Sequence, residues 1–234
     1  MERILLKISG ACLKNENNLI SFNQLNNLSN QIEKISKKYS VSIVVGGGNI
    51  WRGNLSKELK MDQNLADYMG MTATIINSLA LSNILKNKQV NVKVYSALNC
   101  PDLCEKFNIN KVEEFLSKKG TVAIFAGGTG NPFFTTDTAA ALRASELKIS
   151  KILMGKNGVD GVYSADPKVD KNATFYKKIS FKQVIDKKLK VMDLTSLTLC
   201  EENGIDIIVF NIDKNNGIID TLNKKNKFTL ITKE

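Results

Sequence analysis

A glycine-rich segment at residues 127–137, GGTGNPFFTTD, has the composition of a loop that binds phosphate. It follows an apolar run at residues 122–126 and precedes a helical pattern, TAAALRASEL. Glycines let backbone N–H groups approach a ligand closely, and a helix N-terminus attracts anions. The adjacent rings of Phe133 and Phe134 favour a ligand that has both a phosphate and a flat ring. The segment therefore predicts a nucleotide site.

Two more glycine-containing segments follow predicted strands, where ligands bind in sheets of this kind. In the first, KISG, Lys7 can place its ammonium group on a transferring phosphate, and Ser9 and Gly10 offer backbone amides. In the second, GGGNIWRG at residues 46–53, three glycines can form a nest for phosphate and Arg52 can bind two of its oxygens. The alternative for each segment is a plain turn, with Arg52 on the surface.

Asp67 and residues 156–167 carry weaker signals. Asp67 lies early in a predicted long helix, where it can bind a ribose diol or simply stabilise the start of the helix. Residues 156–167, KNGVDGVYSADP, contain glycine turns, and Tyr163 can stack on a nucleobase, although an ordinary hairpin explains the segment equally well. Because neither a Walker A loop nor a Rossmann fingerprint is present, nucleotide binding here requires a different phosphate-binding fold.

The amino-acid composition limits the types of reaction that the chain could catalyse. The 234-residue chain has no histidine, which excludes histidine-containing triads and histidine-ligated metals. Phosphoryl transfer remains available, since it depends mainly on positioning and charge neutralisation. The net charge is +10, but only Arg3, Arg52 and Arg143 among the 33 basic residues are arginines. The lysines are spread along the whole chain, so we expect no nucleic-acid partner and a positive field that attracts small acidic substrates.

The spacing of the four cysteines and the lengths of the apolar runs indicate the cellular compartment of the protein. Cys12, Cys100, Cys104 and Cys200 do not have a common zinc spacing, so we expect thiols rather than a metal site. No apolar run reaches the ~18 residues of a membrane span, and the N-terminus leads directly into a predicted strand without a signal peptide. These features predict a cytoplasmic, reducing location and no membrane partner.

Strand-like and helix-like patterns alternate along the chain. The predicted strands are residues 4–8, 41–45, 92–95, 122–126, 151–154, 159–164, 206–210 and 228–231. The predicted helices are residues 23–39, 65–85, 111–118, the segment after Asp137, and 194–202. Repeated units of this kind predict the α/β class, as a three-layer α/β/α sandwich with a mostly parallel central sheet. We expect one domain, residues 1–234, because no linker or repeat interrupts the pattern.

Taken together, the motifs ILLKISG, VVGGGNIWRG, DYMGM, GGTGNPFFTTD, VDGVYSADP and KVMDLTSLTL resemble those of the bacterial UMP kinases, a branch of the amino acid kinase superfamily. The resemblance runs over nearly the whole chain. The LLK-S-G and GGG motifs are shared across the superfamily, whereas DYMGM and GTGNPFFTTD are narrower. The resemblance implies the amino acid kinase fold, a homohexamer, and transfer of the ATP γ-phosphoryl group to UMP, with Mg²⁺, in pyrimidine nucleotide biosynthesis.

The resemblance also implies roles for individual residues. The implied ATP contacts are Lys7, Ile8, Ser9, Gly10, Gly48, Arg52, Asn157, Tyr163 and Asp166. The implied UMP contacts are Gly47, Asp67, Thr129, Gly130, Asn131, Pro132, Phe133, Phe134, Thr135 and Thr136. Lys7, Arg52 and Asp137 would be catalytic, with Lys156 as a second group that neutralises phosphate charge. Mg²⁺ would be held mainly by the ATP phosphates. The N-terminal part would then bind UMP and phosphates, and the C-terminal part the nucleoside of ATP.

The resemblance bears on regulation as well. Inhibition by UTP is implied, because UTP would compete where UMP binds. Many relatives carry a G-F-G-I-D segment linked to activation by GTP, whereas residues 14–21 of this chain read KNENNLIS, which argues against GTP activation. The sequence is also compatible with two other hypotheses. One is a superfamily relative that acts on carbamate or an acylated amino acid. The other is a nucleotide sensor or nucleic-acid-binding protein without catalysis.

Overall fold

A computed structural model describes residues 1–233, apart from the side chains of residues 54, 56 and 57. Its strands are β1 (Glu2–Ile8), β2 (Tyr39–Val45), β3 (Asn91–Ser96), β4 (Glu105–Lys106), β5 (Thr121–Ala126), β6 (Lys151–Lys156), β7 (Val162–Tyr163), β8 (Phe175–Tyr176), β9 (Lys178–Ser180), β10 (Asp206–Asn211) and β11 (Phe228–Thr232). Within the described residues, β7 and β8 pair with each other and the other nine form one sheet, in the order β4-β3-β5-β2-β1-β6-β10-β11-β9. In that sheet only β10 and β11 pair antiparallel.

Helices cover both faces of this sheet. They are α1 (Phe22–Ser36), α2 (Gly53–Glu58), α3 (Gln63–Asn87), α4 (Ile109–Leu116), α5 (Thr136–Glu146), α6 (Phe181–Asp186), α7 (Leu194–Glu202) and α8 (Gly217–Leu222). One apolar core lies between the sheet and α4–α7, and the other between the sheet and α1, α3 and α8. Alternate residues of β1 point into the two cores, Leu5 into the first and Leu6 into the second. The three-layer prediction is therefore confirmed.

Two predicted elements differ from the structure. The helix predicted at residues 23–39 ends at Ser36, because Tyr39 instead pairs with Glu2 as the first residue of β2. The strand predicted at residues 159–164 is reduced to β7, since Gly158 takes a left-handed conformation and the amide of Val162 bonds to the side chain of Thr229. The hydrogen bond from the amide of Val162 to the side chain of Thr229 in β11 thus takes the place of a longer strand pairing.

Several short elements were not predicted from the sequence. They are α2, α6 and α8, of six residues each, and the strands β4, β8 and β9, of two or three residues. Such segments are too short to show a hydrophobic period. None of the described helices combines the length and the apolar character that a membrane crossing requires.

The sheet topology brings the glycine-rich loops together. Strands β5, β2, β1 and β6 are neighbours and run parallel, with Lys7 opposite Val44 of β2 and Met154 of β6. The carboxyl ends of parallel strands lie at one edge of a sheet, which is where ligands bind in such folds. The loops that follow these four strands, after Ile8, Val45, Ala126 and Lys156, therefore converge at one edge.

Candidate active site

Two lysines and an aspartate lie at this edge, between the ends of β1 and β6 and the start of α5. The ammonium group of Lys7 forms an ion pair with Asp137, and their side chains are only 10% and 16% exposed. Burial lowers the pKa of the third group, Lys156, and the neighbouring charge of Asp137 counteracts part of this effect. Lys156 donates a hydrogen bond to the backbone oxygen of Val191. The site thus places positive charge on groups held away from water, as phosphoryl transfer requires.

The loops after β1 and β2 pack directly against each other. A methyl group on Gly10 would lie 2.8 Å from the backbone oxygen of Gly46 and 2.9 Å from the amide of Gly48. The amide of Gly46 donates to the backbone oxygen of Ile8 at 2.8 Å. Ser9 caps the short 3₁₀ helix that begins at Gly10, since its side chain accepts from the amide of Ala11. Glycine is therefore required at position 10 by close approach.

A buried pair of asparagines holds the second glycine loop. Asn77 in α3 donates to the backbone oxygen of Gly46 and to the side chain of Asn49, both at 2.7 Å. Asn49 donates back to Asn77 at 3.1 Å and to the backbone oxygen of Leu19 at 2.7 Å. These bonds satisfy polar groups that burial would otherwise penalise. The pair was not identified from the sequence, where two asparagines 28 positions apart give no signal.

The third loop, residues 127–135, has the backbone geometry that its glycines predict. Gly127, Gly128 and Gly130 have φ angles of 75°, 58° and 85°, and Phe133 has a φ of 71° despite its side chain. Glycine adopts this left-handed region freely, whereas phenylalanine adopts it at a cost. The side chain of Thr135 accepts bonds from the amides of the first turn of α5 and so caps that helix. The loop is thereby fixed to the start of the helix that carries Asp137.

Asp67 connects α3 to this loop. One oxygen of its carboxylate accepts from the amide of Phe133 at 2.8 Å, and the other accepts from the side chain of Gln63 at 2.8 Å. The bond to Phe133 stabilises the left-handed residue. The helix-start alternative for Asp67 does not hold, since α3 is capped by Asp62, which accepts from the amide of Leu65. Asp67 instead faces a cavity beside the loop.

Two cavities flank the ion pair. Cavity A, of about 420 Å³, lies between α3 and the second and third loops, and cavity B, of about 480 Å³, lies beside β7 and the segment after α6. Predicted site residues that line cavity A are Gly47, Gly48, Arg52, Asp67, Asn131, Phe134, Thr135 and Thr136. Predicted site residues that line cavity B are Lys156, Tyr163 and Asp166. Asp137 follows Thr136, a residue of cavity A, and interacts with Lys156, a residue of cavity B, so the ion pair lies close to both cavities.

Some predicted site residues lie beside different neighbours from those that the sequence implied. Gly48 and Arg52, expected beside the ATP phosphates, line cavity A, and the side chain of Arg52 donates to the backbone oxygen of Gly48 at 2.8 Å. The remaining residues of the third loop, Thr129, Gly130, Pro132 and Phe133, shape it without being among the described residues that line cavity A. Their roles as ligand contacts stay predictions.

Asn157 is not among the described residues that line cavity B, and its side chain instead stabilises the loop after β6. Its side chain accepts from the thiol of Cys12 at 3.2 Å and donates to Asp213 at 2.7 Å. Asp213 also accepts from the amide of Gly158 at 2.7 Å. Burial raises the pKa of Cys12 to about 11, which keeps its thiol protonated as the donor. These bonds fix the turn that leads to Tyr163.

Asp193 is a functional residue that sequence reasoning missed. Its carboxylate accepts from the hydroxyl of Thr135 at 2.6 Å and from that of Thr138 at 3.1 Å, and it also caps α7. Val191, two residues earlier, accepts from Lys156. An aspartate before a helical pattern signals a helix cap. Nothing in the sequence shows that the same carboxylate reaches the start of α5.

The described residues contain no group of three or more histidine, cysteine, aspartate or glutamate side chains arranged to hold a metal ion. Asp137 is the carboxylate that lies beside the two lysines. A carboxylate oxygen is a donor of the type that Mg²⁺ prefers. The residues present are compatible with a cation that arrives with a phosphate ligand.

Comparisons with known proteins identify a family and several relatives. The sequence model described as the amino acid kinase family matches residues 2–211. A uridylate kinase of Ureaplasma parvum serovar 3 is 57% identical over 233 residues, which cover 99% of each chain. Among solved structures, UMP kinase from Ureaplasma parvum has a TM-score of 0.97 at 57% identity over 99% of each chain. UMP kinase from Bacillus anthracis has a TM-score of 0.94 at 35% identity, over 100% of this chain and 96% of the other.

Proposed function

This chain belongs to the amino acid kinase family and is a nucleoside monophosphate kinase related to the uridylate kinases, and from that premise we propose how its site phosphorylates UMP. The γ-phosphoryl group of ATP passes reversibly to a phosphate oxygen of UMP, giving UDP and ADP. The observation that carries the proposal is the buried Lys7–Asp137 pair, with Lys156 beside it, close to two cavities of nucleotide size.

Cavity A is the proposed UMP site. Its lining combines Asp67, which can accept bonds from a ribose diol, with Thr136 at the start of α5, whose amide and hydroxyl can bind a phosphate. Phe134 offers a ring at the same cavity, and Arg52 offers a guanidinium group that can bind phosphate oxygens. These groups match the three parts of a nucleoside monophosphate.

Cavity B is the proposed site for the nucleoside of ATP. Tyr163 and Asp166 line it, and Lys156 marks the end that lies towards Asp137. Tyr163 can stack on the adenine base, and Asp166 can accept from the ribose. The phosphates of ATP would then extend along the amides of Ser9 and Gly10 towards Lys7.

The chemistry needs no general base. The acceptor oxygen of UMP is already ionised at neutral pH, which agrees with a chain that has no histidine. Lys7 and Lys156 would neutralise the charge that spreads over the transferred group, while Asp137 keeps the Lys7 ammonium group in position. Mg²⁺, when bound with ATP, would supply further neutralisation of the phosphate charge. Asp137 is the residue that would hold it from the protein side.

Assembly and regulation complete the proposal. The outer face of α3 exposes Leu65, Tyr68, Met69 and Ile76, an apolar surface that supports association of copies into a homohexamer. UTP would inhibit by occupying cavity A, and the sequence of residues 14–21 argues against activation by GTP. The enzyme would act in the cytoplasm and supply UDP for UTP and CTP synthesis. Light scattering on the purified protein tests the hexamer directly.

An ADP-release assay with Mg²⁺-ATP tests the activity. UMP, CMP, dUMP, carbamate and acetylglutamate are offered in turn, with and without GTP and UTP, and Lys7→Met serves as the control for contaminating kinases. We expect turnover with UMP, inhibition by UTP and no effect of GTP. Turnover only with carbamate or acetylglutamate would overturn the assignment of cavity A. A folded protein that binds nucleotide but turns over no acceptor would be a sensor instead.

A further inference from the structure

Two cysteines outside the proposed site lie on one face of a single turn. After β3, the amides of Leu103 and Cys104 both donate to the backbone oxygen of Cys100, at 3.0 and 3.2 Å. Residues four apart on a helical turn point to the same side. The sulfur atoms of Cys100 and Cys104 are accordingly 3.3 Å apart, within contact of each other.

Small molecules have access to this pair. Both side chains are partly exposed, in contrast to the fully buried Cys200. Cys104 also lines a cavity of about 370 Å³, together with Leu103 and Glu105. The two partly exposed sulfur atoms thus lie close together, and Cys104 borders a cavity, whereas a fully buried thiol such as that of Cys200 lacks this exposure.

The turn that carries the thiols packs against the loop of cavity A. The amide of Ala97 donates to the backbone oxygen of Ala126 at 3.0 Å. A methyl group on Gly130 would lie 3.2 Å from the side chain of Ala97, and one on Gly127 would lie 3.0 Å from the amide of Leu98. Cys100 itself donates to the backbone oxygen of Leu98 at 3.6 Å. Ala97 and Leu98, which lie between β3 and the turn, are therefore the contacts through which a movement of the turn can reach residues 127–130.

We propose that Cys100 and Cys104 form a reversible redox site, which a low-molecular-weight disulfide oxidises to an intrachain disulfide that weakens binding at cavity A. The first part stands on the thiol geometry alone, and the second rests on the proposed function. Intracellular disulfides, where they occur, are usually transient or redox-sensing, which matches a pair of this kind.

The chemistry proceeds by two exchange steps. The thiolate of Cys100 attacks one sulfur of the small disulfide, forms a mixed disulfide and releases one small thiol. Cys104 then loses its proton to solvent, its thiolate attacks the sulfur of Cys100 and forms the intrachain bond, and the second small thiolate leaves and takes up a proton. The two cysteines lose two electrons and two protons, and the small disulfide gains them as two thiols.

The electrostatics favour this order. Burial and the contact with Cys100 raise the pKa of Cys104 to about 12, so Cys104 keeps its proton. Its S–H lies within contact of the sulfur of Cys100. An S–S bond is about 2.05 Å long, so closure draws the sulfur atoms together by roughly 1 Å. Since Ala97 already contacts the loop of cavity A, the displacement can reach that loop.

Mass spectrometry tests the redox site without reference to activity. The full chain is incubated with glutathione disulfide at pH 8, and the remaining thiols are alkylated after denaturation. We expect Cys100 and Cys104 to be protected by a bond to each other, with Cys12 and Cys200 alkylated. Cys104→Ser should instead retain a glutathione adduct on Cys100, because the resolving thiol is missing. Full alkylation of the wild-type chain would overturn the proposal.

Steady-state kinetics test the effect on cavity A. Oxidised protein should show a KM for UMP raised about tenfold, since a displacement of ~1 Å can cost up to ~10²-fold in an active site. The KM for ATP should change little, dithiothreitol should restore the KM for UMP, and Cys100→Ser, which can form neither the intrachain disulfide nor an adduct at position 100, should show no such rise. A disulfide without this rise would overturn the coupling. Absence of UMP turnover in the reduced protein would instead defeat the proposed function and leave the mass result standing.

Discussion

Replacing Lys7 by methionine should lower both the stability and the turnover of the protein. The side chains of Lys7 and Asp137 are 10% and 16% exposed, so the substitution leaves a carboxylate nearly buried without its main partner. Removal of one member of a buried ion pair costs ~3–5 kcal/mol. Since Lys156 also interacts with Asp137, we expect the lower end, about 3 kcal/mol. At ~2–4 °C per kcal/mol for chains of this size, Tm should fall by roughly 6–12 °C.

The effect on turnover has a separate cause. Under the proposed function, Lys7 would supply positive charge where the transferred group develops negative charge, and loss of such a group lowers kcat by ~10²–10³. The double variant Lys7→Met/Asp137→Asn distinguishes the two causes. It removes the unpaired carboxylate charge and should recover most of the lost Tm, while kcat stays low because the ammonium group is still missing.

Thermal unfolding followed by circular dichroism, together with the ADP-release assay, measures both quantities on the same preparations. Recovery of kcat in the double variant would show that Lys7 acts only through stability. A single variant with normal Tm would show that the ion pair does not contribute to folding, and near-normal kcat would remove Lys7 from the site.

Three further variants test other parts of the site. Asp67→Ala removes a charge-assisted hydrogen bond to Phe133 that is worth ~1.5–3 kcal/mol. The KM for UMP should therefore rise at least about tenfold, and the KM for ATP should change little. An unchanged KM for UMP would show that Asp67 does not contribute to cavity A. Burial holds the pKa of Lys156 below its ordinary 10.5, so kcat should decline at alkaline pH below that value, and Lys156→Arg should move the decline to higher pH. A decline that does not move belongs to another group. Gly10→Ala places a methyl group 2.8 Å from the backbone oxygen of Gly46 and should lower Tm and kcat, whereas a normal Tm would show that the two loops separate freely.

The sequence was sufficient for the main strands and for the loops at the site. Apolar runs such as residues 122–126 identify strands buried on both faces, and glycines directly after them identify loops that must turn sharply. Because parallel strands end at one edge, Lys7, Asp67 and Asp137 could be expected near one another before their contacts were known. Lys7 and Asp137 do form an ion pair, and Asp67 does contact the third loop.

What the sequence could not supply are contacts that depend on how separate elements pack. Asp193 reaches Thr135 and Thr138 only because α7 lies against α5. The pairing of Asn49 with Asn77 likewise depends on the position of α3 beneath the second loop. In both cases the local pattern is satisfied equally well by a solvent-exposed side chain, so the partner is fixed by tertiary structure alone.

The segment from Val191 to Asp193 has a consequence for how the two substrates bind. Its first residue accepts a hydrogen bond from Lys156 at cavity B, and its last holds Thr135 at cavity A. Under the proposed function, a nucleotide that drew Lys156 towards its phosphates would release one end of this three-residue segment, whose other end holds Thr135. The same short piece of backbone would then link the two proposed substrate sites, and any such linkage would act equally in both directions.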